Sequence, residues 1–203
     1  VDETKTHGLV RIENSTVLWF LYNDEDSPED IKELYSKVIK DKIKNKKICF
    51  LGVTFKANTD DMRDSSSLSM IPSLVKKGAK VNYFDPTGEK NNFKKLNEVI
   101  KREKPDIIFH LAAQSLVKKS YSNSTYTWET NTIGTLNVLE SLREIKKNCI
   151  AVFITSDKSY KNLEIKRGYK ENDILGGKDP YSASKASAEL VIQSYISSFF
   201  PKK

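Results

Sequence analysis

Lys47-Ile-Cys-Phe-Leu-Gly-Val53 is the stretch on which the fold turns. Residues 48–53 are an apolar run of strand length, too short for an ordinary helix and without a polar position to give it a wet face. A strand that is apolar on both sides belongs inside a sheet covered on both faces. The same theme recurs downstream. Residues 67–77 have helical periodicity and stop at Gly78, and residues 80–84 make a second strand closed by Asp85-Pro86. A helix is expected over 92–104, an apolar strand over 106–112, a long helix over 130–147, a strand over 149–155 and a last helix over 181–199. Short apolar strands alternating with amphipathic helices predict an α/β fold with a parallel sheet. Ligands of such sheets bind beyond the carboxyl ends of the strands.

Upstream of Lys47 the pattern differs. Residues 9–12 and 16–22 are β-type runs around Glu13-Asn14-Ser15, which predicts a hairpin. Ser27-Pro-Glu-Asp30 carries a helix-start signal, and Ile31, Leu34, Tyr35, Val38 and Ile39 then fall on one helical face. Residues 1–46 are therefore expected to form a small hairpin-and-helix appendage, and residues 47–203 the main domain.

Composition narrows the function. The chain has 203 residues, 38% of them hydrophobic, enough for one domain with a real core. The longest apolar runs fall far short of the ~20 residues a bilayer needs, and the first residues lack a basic-then-apolar leader. A cytoplasmic protein with no membrane partner is expected. The net charge of +7 raises the question of nucleic acid. Lys is spread over every segment, however, and Arg occurs only at positions 11, 63, 102, 143 and 167. No basic stripe results, so no nucleic-acid partner is expected. Cys49 and Cys149 start apolar runs without Cys-x-x-Cys spacing, and His7 and His110 are the only histidines. No metal site is expected.

The chemistry-bearing residues gather late in the chain. Ile154-Thr-Ser-Asp-Lys158 puts four polar groups at the carboxyl end of a buried strand. Tyr181-Ser-Ala-Ser-Lys185 follows, with Tyr and Lys one helical turn apart on one face. A free phenol, with a pKa near ~10, is a poor base at neutral pH. A neighbouring ammonium lowers that value, so that the phenolate can take a proton from a sugar hydroxyl. With nine Tyr in so Lys-rich a chain, about one Tyr-x-x-x-Lys arises by chance. The motif gains weight from its place at a helix start, after the Ser-Asp-Lys strand tip.

These residues carry a resemblance. Lys104-Pro-Asp-Ile-Ile-Phe-His-Leu-Ala-Ala-Gln114, Glu129-Thr-Asn-Thr-Ile-Gly-Thr-Leu-Asn-Val-Leu-Glu140, Thr155-Ser-Asp-Lys158, Gly168-Tyr-Lys-Glu-Asn-Asp173 and Asp179-Pro-Tyr-Ser-Ala-Ser-Lys185 stand in the order of a CDP-glucose 4,6-dehydratase. Over about 96–201 the chain resembles that family of extended short-chain dehydrogenases/reductases. The resemblance implies a Rossmann-like sheet, a nucleotide-sugar substrate such as CDP-glucose, and NAD as a prosthetic group that is lent a hydride and gets it back. It also implies roles. Tyr181 would be the base at C4, Lys185 its activator and a ribose ligand, and Ser156 a hydrogen-bond partner of the C4 oxygen. Asp157 would protonate the leaving C6 hydroxyl. Lys158 stands where related dTDP-sugar dehydratases carry a Glu that removes the C5 proton. A charged Lys cannot do that, which leaves it a depressed pKa or an electrostatic role. Ala112, Ala113 and Gln114 would lie along the cofactor. Asn131 would prop the active site, or else serve as an N-cap-like structural group.

Residues of about 47–86 resemble a second family, the C-terminal UDP-binding domain of UDP-glucose 6-dehydrogenases. By that resemblance Phe55 and Lys56 would meet the nucleotide sugar and Arg63 the cofactor. The Gly-rich turn that opens the dehydratase family is missing, since after Gly52 the next glycine is Gly78. Ser65, Ser66 and Ser67 offer phosphate donors or a simple helix cap. The main domain thus divides into a dehydrogenase-like 47–90 and a dehydratase-like 91–203, without the dehydratase family's sugar-binding lobe. An NAD-dependent nucleotide-sugar 4,6-dehydratase core is the leading expectation. A non-catalytic nucleotide-binding or oligomerisation module, or one related to UDP-sugar dehydrogenases, is the alternative, with a homodimer left open.

Overall fold

The computed structural model describes residues 7–12, 15–20, 43–53, 65, 67–85, 92–164, 166–170 and 172–200. In chain order these form β1 (His7–Ile12), β2 (Ser15–Phe20), β3 (Lys47–Leu51), α1 (Ser67–Lys76), β4 (Lys80–Phe84), α2 (Asn92–Glu103) and β5 (Ile107–His110). Then follow α3 (Val117–Ser122), α4 (Ser124–Trp128), a π-helical turn (Glu129–Ile133), α5 (Gly134–Glu144), β6 (Ile150–Ile154), a 3-10 turn (Asp157–Ser159) and α6 (Pro180–Phe199).

The strands make one sheet in the order β1-β2-β6-β5-β3-β4. β3 runs parallel to β4 and β5, and β6 runs parallel to β5 and β2. This is the α/β, Rossmann-like parallel sheet the sequence predicts. Strand alternation sends side chains into two cores. Cys49, Leu51, Ile108, Ala151 and Phe153 meet Leu96 and Ile100 of α2, Val138 and Leu139 of α5, and Ile192 of α6. On the other face Ile48, Phe50, Ile107, Phe109 and Val152 meet Met70 and Leu74 of α1. Phe50 and Phe109 stack across β3 and β5 with ring centroids 5.0 Å apart. A strand that feeds both cores has no room for a polar residue, which is why 48–53 reads as unbroken apolar sequence. Burial pushes both thiols, Cys49 and Cys149, up to about 12, so they stay protonated.

Local chemistry sets the helix ends. Gly78 (φ +86°) follows α1 and supplies a left-handed residue at low cost. Asp179 caps α6, its carboxylate accepting from Ser182 N at 2.9 Å and from Ser182 Oγ at 2.6 Å, with Pro180 in the first turn.

The structure amends the sequence expectations in two places. The N-terminal hairpin is present, with Ile12 paired to Ser15, but it is part of the sheet and not an appendage: β2 lies beside β6, from Thr16 opposite Ile150 to Phe20 opposite Ile154. The outer backbone groups of β6 would otherwise lack partners, and β2 supplies them. The long helix expected from residue 130 starts as a π turn, preceded by the short helices α3 and α4 in a stretch the periodicity leaves unassigned. The helix expected over 31–39 lies outside the described residues.

Candidate functional site

The chain passes from β3 to β4 on one side and later returns to β5 on the other. Strand order therefore reverses at β3, and sheets of this kind form their ligand crevice beyond the carboxyl end of such a strand. Three strand tips are drawn together there. Leu51 O accepts from Leu111 N (2.8 Å) and Ala112 N (2.7 Å), and Gly52 N donates to Phe84 O (2.9 Å). Gly52 has φ +84°, and a Cβ on it would lie 2.6 Å from Ala112 Cα and N. Only a residue without a side chain fits this crossing. Val53 N donates to Asp85 Oδ2 at 2.8 Å, which brings a carboxylate to the same crevice.

The other half of the site is the tip of β6 and the start of α6. Ser156 Oγ accepts from Lys158 N (3.2 Å) and lies 3.1 Å from Asp157 Oδ1, to which it donates. The Lys158 ammonium is 4.0 Å from that same carboxylate oxygen. The 3-10 turn packs against α6, whose Tyr181 and Lys185 are both buried. Lys185 Nζ donates to Ile154 O at 3.5 Å, tying the helix to the strand tip. Burial pulls Lys185 down to about 8, against an opposing pull from Glu189.

Asn131 joins the two halves. Its Oδ1 accepts from Gln114 N (2.8 Å), and its Nδ2 donates to Gln114 O (3.1 Å) and to Ser184 Oγ (2.9 Å). Thr132 Oγ1 donates to Ser184 O, and Ser184 Oγ to Tyr181 O. Asn131 is therefore no N-cap. It sits inside the π turn, whose extra residue aims it at the loop after β5 and at α6 together.

The remaining predicted residues fall as follows. Ala112 and Ala113 are half-buried at the crevice. Gln114 is wholly buried, its amide donating to Leu116 O and Thr127 Oγ1 and its Oε1 accepting from Leu116 N. Its side chain thus secures α3 and α4, and only its backbone faces the crevice side of the Asn131 clamp. Ser65 Oγ donates to Val53 O and accepts from Ser67 N, which is capping behaviour. Phe55, Lys56, Arg63 and Ser66 lie outside the described residues.

Three buried polar groups beneath this site, Thr155, Glu189 and His110, receive no role from the sequence, although Thr155 stands in the strand-tip motif. Thr155 Oγ1 donates to Glu189 Oε1, and Glu189, raised by burial, lies in the compartment of Lys185. His110, at the end of β5, packs edge-on to Phe153. Thr135 Oγ1 donates to Asn131 O, so its oxygen accepts from His110 Nε2–H at 3.3 Å. Nδ1 is left without a partner among the described residues. The one sequence signal for His110 is a histidine closing an all-apolar strand.

His110 has a measurable consequence. Burial, aided by the Lys185 charge, lowers it from 6.5 to about 3. The fold thus favours the neutral ring. This contribution is full above the unfolded value and drains away as pH falls from 6.5 towards 3. Between about pH 7 and about pH 5 the protein should lose ~2 kcal/mol more stability than His110→Gln does. Urea unfolding at both pH values checks it, and parallel losses in the two proteins would clear His110 of the effect.

The chain has relatives among known proteins. Over 113 residues the chain is 46% identical to the CDP-glucose 4,6-dehydratase of Salmonella typhimurium, a match that covers 56% of this chain and 32% of that protein. A shorter match, 49% over 49 residues, is to the UDP-glucose 6-dehydrogenase of Rhizobium meliloti, covering 24% of this chain and 11% of the relative. Both resemblances read from the sequence are therefore present. Among solved structures, the UDP-glucose 4-epimerase of Thermus thermophilus in complex with NAD matches with a TM-score of 0.58 at 22% identity, covering 75% of this chain and 51% of that one. The chain thus spans about half of that structure and about a third of the Salmonella relative. Among the described residues no helix is long and apolar enough to cross a membrane. A family model described as GDP-mannose 4,6 dehydratase matches residues 39–200, and the chain belongs to that family.

Proposed function

We propose that this chain is the NAD-dependent core of a nucleotide-sugar 4,6-dehydratase acting on CDP-glucose. The observation that carries the reading is the junction of α6 with the β6 tip: Tyr181 and Lys185 are buried one turn apart, and Lys185 is tied to the strand that ends in Ser156 and Asp157. Tyr181, with the Lys185 ammonium favouring its phenolate, takes the proton of the C4 hydroxyl. Ser156 holds the C4 oxygen. Asp157 gives a proton to the C6 hydroxyl, which leaves as water. Lys158, 4.0 Å from Asp157, would hand that carboxylate the proton it gives away and, as the neutral amine so formed, take up the C5 proton, which leaves the pair in its starting charge state once water has gone.

The crevice suits a dinucleotide. Gly52 lets the β3 tip close onto the Ala112 backbone, and beside that crossing Asp85 brings the acidic group that Rossmann sheets use for a ribose hydroxyl. Ala112, Ala113, the backbone of Gln114, Tyr181 and Lys185 would hold NAD, with Asn131 bracing them and Arg63 reaching it from the β3–α1 connection. Phe55 and Lys56 would meet the sugar nucleotide. When bound, NAD would supply the hydride acceptor for C4 and, once water has left, the hydride donor for C6, so that the product keeps its 4-keto group.

The test is calorimetry with millimolar NAD, followed by proton NMR of CDP-glucose incubated with chain and NAD. Heat of binding and a 4-keto product are expected. No heat and no product would leave the alternative, a nucleotide-binding or oligomerisation module without turnover. The single glycine at the β3 exit, in place of a Gly-rich turn, favours that alternative.

A further inference from the structure

We propose that Glu189, clamped by Thr155, is a positioning residue that keeps the Lys185 ammonium charged beneath Tyr181. The proposal rests on the function above for its meaning but not for its test. Glu189 lies four residues after Lys185, on the same face of α6, and is 2% exposed. A carboxyl group so buried needs a partner. Thr155 supplies one by donating its hydroxyl to Glu189 Oε1. Thr155 directly precedes Ser156, so the strand tip that carries the substrate-facing groups also fixes the group behind the lysine.

The arrangement answers a physical problem. Lys185 is 6% exposed, and it donates to a backbone carbonyl, Ile154 O, at the long distance of 3.5 Å. A bare ammonium there would shed its proton. His110, facing from β5, gives no help, because a neutral imidazole nitrogen is a weak acceptor and its own protonation would repel Lys185. The other charged groups nearby are Asp157 and Lys158 on the 3-10 turn and Glu129 at the start of the π turn. Asp157 and Lys158 face each other at the exposed side of the site, and Glu129, half-buried, is not among the charges that act on Lys185. Glu189 is therefore the carboxylate inside the compartment. Loss of this support leaves only the burial that already pulls Lys185 down, and so favours its neutral form. A neutral Lys185 would return Tyr181 towards an ordinary phenol.

The test reads the phenol directly and needs neither NAD nor substrate. The tyrosinate absorbance of the full chain is titrated with pH, and the same curve for Tyr181→Phe is subtracted to isolate Tyr181. In Glu189→Gln, which keeps an acceptor for Thr155 but not the charge, the Tyr181 transition should rise by about one pH unit. In Thr155→Val the shift should be smaller and of the same sign, because the carboxylate loses its donor. An unmoved transition in a Glu189→Gln protein that still melts cooperatively would overturn the proposal. If Glu189→Gln fails to fold, an unmoved transition in Thr155→Val overturns it instead. Lys185→Met serves as the reference. If it too leaves Tyr181 unmoved, the Tyr–Lys coupling assumed in the dehydratase reading is what has failed. If it raises the transition while Glu189→Gln does not, only the role of Glu189 has failed.

Discussion

Tyr181→Phe is expected to lower the rate of 4-keto sugar formation about a thousandfold while leaving the fold intact. A positioned acid–base group contributes ~100- to 10,000-fold, and a thousandfold loss corresponds to ~4 kcal/mol of barrier. The phenol is the group asked to take the C4 proton, and no other side chain at the β6 tip can replace it. Ser156 is a poor base, and the Asp157 carboxylate is engaged with Ser156 and Lys158. Tyr181 is buried and the variant removes only its hydroxyl, so the packing of the ring is kept. Cooperative melting close to the parent, together with product NMR, separates lost chemistry from lost structure. An unchanged rate would mean that another group removes the proton and that the α6 pair is only scaffolding.

Gly52→Ala is expected to destabilise the protein by ~3 kcal/mol, because two costs combine. A non-glycine residue at φ +84° carries backbone strain. The added methyl would also sit 2.6 Å from Ala112 Cα and N, which are backbone atoms held by the Ala112 N to Leu51 O bond and cannot swing away. For a domain of this size ~3 kcal/mol lowers Tm by roughly 10 °C. Gly78→Ala is the built-in control. It has φ +86°, but its new methyl would meet the flexible Lys44 side chain at 3.2 Å. It should lose only the strain, about 1 kcal/mol. Equal melting points for the two variants would show that the contact between the tips of β3 and β5 yields to an added methyl.

Much of this fold is legible in the sequence because its signals are local. β4 is bounded by Gly78 and Asp85-Pro86, and α6 is announced by Asp179-Pro180. β3, β5 and β6 are apolar because each feeds two cores. What escapes depends on partners distant in the chain. The place of β2 beside β6 is a backbone pairing that no period in residues 15–20 encodes. The π turn exists because Asn131 serves the Gln114 backbone and Ser184 at once. The site divides the same way. Tyr181, Lys185, Ser156 and Asp157 stand out as motif residues. Thr155 and Glu189 look like ordinary strand-end and helix residues until the fold brings them together.

The pairing of β2 with β6 bears on how the chain reaches its native state. Thr16 meets Ile150, so the hairpin emerges from the ribosome long before the strand it must dock against. Contacts so remote in sequence raise topological complexity and slow folding. During synthesis the early hairpin is exposed strand edge with no mate, a hazard for aggregation at high expression. Slower translation or a holding chaperone should therefore raise the soluble yield of this chain more than that of a version without residues 1–20.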